Sequence, residues 1–229
     1  MPTATLAITN PATGAQVLRV AADGPREVAA RYAAARAAQP RWAATPMRRR
    51  IAAIEKFREL VIARTEALAT TLTQEVGKPI RQARNELKGL IGRLDFFIAE
   101  SARALREQKV FVDPAQKLDE RITHEPLGVV ANISAWNYPY FVGSNVFVPA
   151  LVAGNTVLYK PSEFATLTGR HIADLLHAAG IPDDVFVPVI GGAATGAALL
   201  RQPVDGVFFT GSYATGAKNP AGAAITYDS

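Results

Sequence analysis

The sequence predicts an α/β protein: a parallel sheet with helices on both faces, preceded by a helical N-terminal part and a protruding β-hairpin. Three observations carry this. Beyond Pro126, short apolar runs at 128–133, 156–159, 185–190 and 206–209 alternate with helical stretches. Strands that are apolar throughout are buried on both faces, and alternation with helices makes them parallel. Before residue 107, apolar residues recur at helical spacing, and 49% hydrophobic residues over 229 positions suffice for a sizeable core.

Taken in order, residues 5–20 alternate around the turn Asn10-Pro11-Ala12-Thr13-Gly14 and read as a short hairpin. The Ala/Arg-rich stretch 27–38 favours helix by propensity. Thr45-Pro46 reads as a helix start, a capping hydroxyl followed by proline at the first helical position. Ile51, Ile54, Phe57, Val61, Leu68 and Leu72 follow as the face of one helix. Gly77-Lys78-Pro79 ends it and begins another, with Leu87, Leu90, Ile91, Leu94, Phe97 and Ile98 as its apolar face. Val110-Phe111-Val112 and 120–124 flank the turn 113–116 as a two-stranded excursion. An isolated hairpin is marginal in water, so this one should pack on something, such as another subunit. In the last part, helices are expected at 141–152 and 168–179, closed by Gly154 and Gly180, and at 193–200.

Composition excludes several classes. The net charge is 25 − 20 = +5, only mildly basic. The densest basic run, Arg48-Arg49-Arg50, has no interleaved aromatic residues to stack bases. It reads as a solvated helix start, and no nucleic-acid partner is expected. No apolar run reaches about 18 residues, so no membrane span is expected. Residues 1–10 lack a secretory pattern. There is no cysteine, which excludes disulfides and cysteine-based metal sites. The default location is cytoplasmic. His124, His171 and His177 have no metal-like spacing and are assigned surface roles; no metal site is expected.

Ligands of open parallel sheets bind beyond the carboxyl ends of the strands. Polar or glycine-rich segments follow each expected strand: Ser134-Ala135-Trp136-Asn137, Lys160-Pro161-Ser162-Glu163, Gly191-Gly192 and Thr210-Gly211-Ser212. An ammonium and a carboxylate at the spacing of Lys160 and Glu163 can hold the two hydroxyls of a ribose; a solvent-exposed loop pair is the other reading. The Glu163 carboxylate would repel a 2′-phosphate, favouring NAD over NADP. Gly211-Ser212 offers backbone N–H groups and a hydroxyl to a pyrophosphate, and a plain strand-to-helix turn accounts for it equally. The Asn137 amide can donate to a developing oxyanion, or simply satisfy a tight turn.

The segments Glu125-Pro126-Leu127-Gly128-Val129-Val130, Ile133-Ser134-Ala135-Trp136-Asn137-Tyr138-Pro139, Gly154-Asn155-Thr156-Val157, Lys160-Pro161-Ser162-Glu163 and Phe209-Thr210-Gly211-Ser212 resemble the aldehyde dehydrogenase superfamily. So does Glu75-Val76-Gly77-Lys78-Pro79. The likeness runs from about residue 8 to 218 in order, which makes it specific. It implies a Rossmann-like NAD(P)-binding domain that oxidises aldehydes to carboxylic acids, with a hairpin that assembles homo-oligomers. Ile133 and Trp136 would line the cofactor, Lys160 and Glu163 would hold its adenosine ribose, Gly192 and Gly196 would admit the adenine side, and Ser134, Ala135 and Ser162 belong to the same cofactor-binding set. Ser212 would touch the pyrophosphate, with Phe209, Thr210 and Gly211 beside it in the cofactor-binding set, and Asn137 would be the oxyanion donor. Ala135 stands where the family usually has proline.

On this reading the chain divides into a helical part at 1–107, an oligomerisation hairpin at 108–126, a Rossmann-like NAD-binding part at 127–218 and a divergent tail at 219–229. In the family a cysteine thiolate attacks the aldehyde, hydride leaves to the nicotinamide, and a glutamate activates the hydrolytic water. Both residues lie beyond the Gly-Ser segment. Here 229 − 212 = 17 residues follow Ser212, none of them cysteine, and Asn219-Pro220 should break the helix that opens there, at about 3 kcal/mol. The expectation is therefore an incomplete aldehyde dehydrogenase fold that carries the cofactor-binding half, lacks the nucleophile and is inactive alone, with an apolar sheet face or edge left open. The alternative is a non-catalytic module that binds NAD or assembles oligomers.

Overall fold

The computed structural model describes residues 4–216 and the strand 224–227. A first hairpin pairs β1 (Thr5–Thr9) with β2 (Gln16–Ala21). Its turn is made by Asn10, whose side chain accepts the Ala12 N–H at 2.9 Å.

Four helices follow: α1 (Pro25–Ala43), α2 (Met47–Ala63), α3 (Thr65–Val76) and α4 (Ile80–Ala104). The first starts where Glu27 reaches back to the Gly24 N–H at 3.0 Å, with Pro25 at the first helical position. Two expectations need correction. Thr45 does not cap α2; Pro46 holds the cap position, and the Thr45 hydroxyl donates to the Arg41 carbonyl at 3.1 Å. The threonine stands four residues after Arg41, within reach of the last open carbonyls of α1. The helix expected to run through Leu72 breaks at Arg64, where the backbone takes φ −114°. This lets α3 turn to pack on α4 and α6 (Thr166–Ala178). Gly77 does end α3, in the left-handed conformation at φ 78°.

The second hairpin pairs β3 (Gln108–Asp113) with β4 (Leu118–Ile122). Asp113 accepts the Ala115 and Gln116 N–H groups at 2.9 and 3.2 Å and sets the turn. Val110, Phe111, Val112, Leu118 and Ile122 all remain exposed.

The sheet strands are β5 (Val129–Ile133), β6 (Thr156–Lys160), β7 (Phe186–Pro188), β8 (Gly206–Gly211) and β9 (Ala224–Tyr227). They are parallel, in the order β7-β6-β5-β8-β9. Between them run α5 (Phe141–Ala153), a 3₁₀ turn (Glu163–Ala165), α6, α7 (Ala193–Leu200) and the short α8 (Tyr213–Gly216). Gly154 and Gly180 close α5 and α6 at φ 96° and 97°, as their positions predict. A fifth strand, β9, lies in the stretch where the sequence pattern placed none. The break expected at Asn219-Pro220 lies outside the described residues.

Two cores sandwich the sheet, and strand alternation feeds both. Val130, Val157, Tyr159 and Phe186 join Ile54, Phe57, Leu72, Leu87, Leu90 and Phe147 on one face. Val129, Ala131, Leu158 and Val187 join Val28, Ala35, Ala198 and Leu199 on the other. The rings of Phe57, Tyr159 and Phe186 surround Phe147, the nearest being Phe186 edge-on at 5.2 Å. Arg50, placed by sequence in a solvated helix start, is buried instead. It donates to the carbonyls of Val152 at 2.9 Å and of Ala43 and Thr45 at 2.8 Å each. The ends of α1 and α5 leave these carbonyls open, and a guanidinium has enough donors to close them together.

A mainly apolar hollow lies between α5, β5 and β8. A cavity of about 620 Å³ is lined there by Leu127, Val130, Phe141, Val142, Val146, Pro149 and Phe208, among others. Among the described residues no helix is long and apolar enough to cross a membrane.

Candidate functional site

The chain runs from β5 outward through β6 to β7, then returns to place β8 on the other side of β5. Strand order reverses between β5 and β8, so the loops leaving their carboxyl ends diverge and open a crevice. A cavity of about 600 Å³ lies there.

Ile133, Ser134, Ala135 and Trp136 leave β5 along one wall, and Phe209, Thr210, Gly211 and Ser212 leave β8 along the facing wall. Lys160, Ser162 and Glu163 come from the end of β6, and Gly196 from α7. Twelve of the fourteen residues singled out from sequence therefore line one space. Gly192 and Asn137 do not. Gly192 is the N-terminal cap of α7, and a Cβ there would stand 3.9 Å from Glu163 Oε1, so it borders the rim. Asn137 lies further along the loop, half-buried, with its side-chain oxygen accepting the Tyr138 N–H at 3.1 Å.

Sequence reasoning missed Phe164, Ala193, Ala197, Leu200 and Thr215, which also line the cavity. Ala193, Gly196, Ala197 and Leu200 recur at helical spacing, so one face of α7 forms the wall. That periodicity was available in the sequence, but it reads equally as a core-facing stripe.

Lys160 is only 5% exposed, against the solvent-exposed reading of the pair. Its ammonium donates to the Pro161 carbonyl at 3.2 Å and stands 3.7 Å from Glu163 Oε2. Burial pulls the Lys160 pKa down and the Glu163 carboxylate pulls it up, with burial the larger. Ser162 accepts the Phe164 N–H at 3.3 Å and so caps the 3₁₀ turn that carries Glu163. The Ser212 hydroxyl is 3.0 Å from that of Thr215, at the start of α8.

Of the three histidines, His124 is exposed as expected, and the other two differ from expectation. His177 is tied into the fold, its Nε2 2.9 Å from the Phe186 carbonyl oxygen and its Nδ1 3.3 Å from Asp183. His171 is half-buried and its pKa is lowered, chiefly by burial. Both are carried by α6, which packs on β7 and α3. Among the described residues no three His, Asp or Glu side chains gather as a metal site would.

An open parallel sheet with its crevice at the point of strand reversal is the architecture of dinucleotide-binding α/β proteins. The chain belongs to the aldehyde dehydrogenase family, whose sequence pattern matches residues 2–224. The match extends past residue 218, where the resemblance read from the sequence ended. An N-succinylglutamate 5-semialdehyde dehydrogenase of Sphingopyxis alaskensis is 38% identical over 207 residues, 90% of this chain and 42% of that protein. The solved structure of PnpE in complex with nicotinamide adenine dinucleotide superposes with a TM-score of 0.89 at 30% identity, over 98% of this chain and 47% of the other. The NADP-dependent glyceraldehyde-3-phosphate dehydrogenase of Bacillus halodurans, complexed with NADP, gives 0.89 at 27% identity, over 98% and 49%. The chain thus spans less than half the length of these relatives.

Proposed function

We propose that this chain is the cofactor-binding part of an NAD(P)-dependent aldehyde dehydrogenase, an oxidoreductase that converts an aldehyde to a carboxylic acid. The observation that supports this most is the single crevice gathering the ends of β5, β6 and β8 around the Lys160–Glu163 pair. The residues suit a dinucleotide. Lys160 and Glu163, 3.7 Å apart, offer a donor and an acceptor to vicinal ribose hydroxyls. Gly196 leaves room beside Lys160 for a flat base; a Cβ there would stand 3.5 Å from Lys160 Cε. Thr210, Gly211 and Ser212 would meet the phosphates, and Ile133 with Trp136 would line the nicotinamide side.

The bound dinucleotide would accept a hydride from the substrate. Toward that reaction these residues bind and orient, and the Asn137 amide stabilises negative charge on the aldehyde oxygen. The 229 residues contain no cysteine, so a thiol nucleophile would come from polypeptide outside them, and these residues alone would not turn over. The second reading is a non-catalytic module that binds NAD or assembles oligomers. A cytoplasmic setting, and pairing of copies through the hairpin at 108–126, belong to the same proposal, as does the division at residues 107, 126 and 218.

Glu163 favours NAD over NADP, because its carboxylate would face the 2′-phosphate. Isothermal calorimetry with both dinucleotides tests this. The chain should bind NAD more tightly than NADP, Lys160→Ala should weaken both, and Glu163→Ala should narrow the gap between them. Failure of the folded chain to bind either dinucleotide would refute the proposal.

A further inference from the structure

We propose that Lys78 and Glu86 are positioning residues that hold the loop 134–140 from behind, setting Trp136 against the crevice and fixing the orientation of Asn137. The inference rests on the crevice being the dinucleotide site. Neither residue lines it.

The contacts are specific. Lys78 Nζ donates to Glu86 Oε2 at 2.6 Å and to the Asn137 carbonyl oxygen at 2.6 Å. The same ammonium stands 3.6 Å from the centre of the Tyr138 ring. The other oxygen of Glu86 accepts the N–H groups of Tyr140 at 2.8 Å and Phe141 at 3.3 Å. Two side chains at the start of α4 thus hold four positions of the β5–α5 connection. Their side chains are 9% and 0% exposed. The Ser134 N–H still donates to the Lys160 carbonyl at 3.0 Å, and segment 135–140 beyond it is irregular. A pair this buried is a weak source of stability, since an apolar pair of similar volume often serves as well. What an apolar pair cannot supply is the directed hydrogen bonding to Asn137, Tyr140 and Phe141.

Lys78 precedes Pro79, the cap of α4, and its ammonium reaches the loop at Asn137. Glu86 follows eight residues later, on the buried face of the same helix. Glu86 is thus carried by the helix and Lys78 by the connection just before it.

The chain has two tryptophans, Trp42 and Trp136, so Trp42→Phe leaves Trp136 as the sole tryptophan, excited at the red edge where tyrosine does not absorb. In that background, acrylamide quenching and anisotropy of Trp136 are measured without ligand, followed by NAD titration. Lys78→Met should raise quenching, lower anisotropy and weaken NAD binding by about tenfold, or 1.4 kcal/mol. Lys78→Arg, which keeps the charge and the donors, should restore most of each. Should Lys78→Met unfold because Glu86 is left unpaired, the Lys78→Met/Glu86→Gln double variant removes that charge and carries the same measurements. A folded variant that melts earlier but keeps the parental Trp136 quenching and NAD affinity shows a purely structural pair and overturns the proposal. If the parent itself binds no NAD, the dinucleotide reading fails, while the ligand-free quenching still decides the clamp.

Discussion

Glu75, near the end of α3, accepts both the backbone N–H and the hydroxyl of Thr168, each at 2.8 Å, through the same carboxylate oxygen. Its other oxygen accepts the Leu167 N–H at 2.5 Å. The start of α6 is therefore capped by a residue more than ninety positions earlier, and α6 has no cap bond from its own preceding side chain. Burial raises the Glu75 pKa above its ordinary 4.5, while the three hydrogen bonds oppose the rise. A raised folded pKa means that this group's stabilisation is complete below the unfolded value and is lost as pH rises through the folded one. Glu75→Gln should accordingly cost most in acid and least near neutrality, with a loss of about 1–3 kcal/mol from the mispaired donors. Urea denaturation of parent and variant across pH 4 to about 8 reads the difference directly. A gap that is flat across that range would contradict the account. Glu86 shares the direction of shift, so the comparison must be made against the parent at each pH.

Gly196 offers a second test. It sits inside α7, where glycine is about 1 kcal/mol less favourable than alanine. A Cβ there would meet Lys160 Cε and Cδ at 3.5 and 3.6 Å, which is ordinary contact and no clash. Gly196→Ala should therefore stabilise the fold by up to about 1 kcal/mol and at the same time weaken dinucleotide binding, because the added methyl enters the crevice. Thermal melting and calorimetry on the same sample separate the two effects. Greater stability with unchanged affinity would mean that the glycine is not kept for the ligand.

The hairpin offers a third. Phe111 is 50% exposed and Val110 58%, on a two-stranded sheet separate from the main one. Burying such side chains contributes about 1.5–3 kcal/mol each, enough for several together to drive association. Phe111→Glu should lower the sedimenting mass of the chain at micromolar concentration without lowering its melting temperature in the monomer range. A parent that sediments as a monomer at all concentrations would remove the assembly role.

How much of this was legible beforehand follows the range of the interactions. Gly77, Gly154 and Gly180 mark helix ends because a left-handed backbone is a local demand that glycine meets at little steric cost. The strands β5, β6 and β8 and the residues at their carboxyl ends follow from apolar runs and the polar segments after them. The Thr45 side chain and the helix break at Arg64 escape the local pattern because a hydroxyl or a break near a helix end has several local solutions, and packing chooses among them. Arg50 was assigned to solvent because its four carbonyl partners come from two helix ends, one of them about a hundred positions later.

Local chemistry by itself determined that this chain forms a parallel sheet whose strand ends carry residues suited to a dinucleotide, since short-range periodicity and turn residues act within a few positions. Only the tertiary structure decided that Trp136 and Ser212 face one crevice, that Lys78 and Glu86 stand behind the loop, and that Glu75 caps α6. These depend on strand order and on helix packing between residues some 50 to 90 positions apart, where the free energy comes from shared burial and no local pattern records the partner.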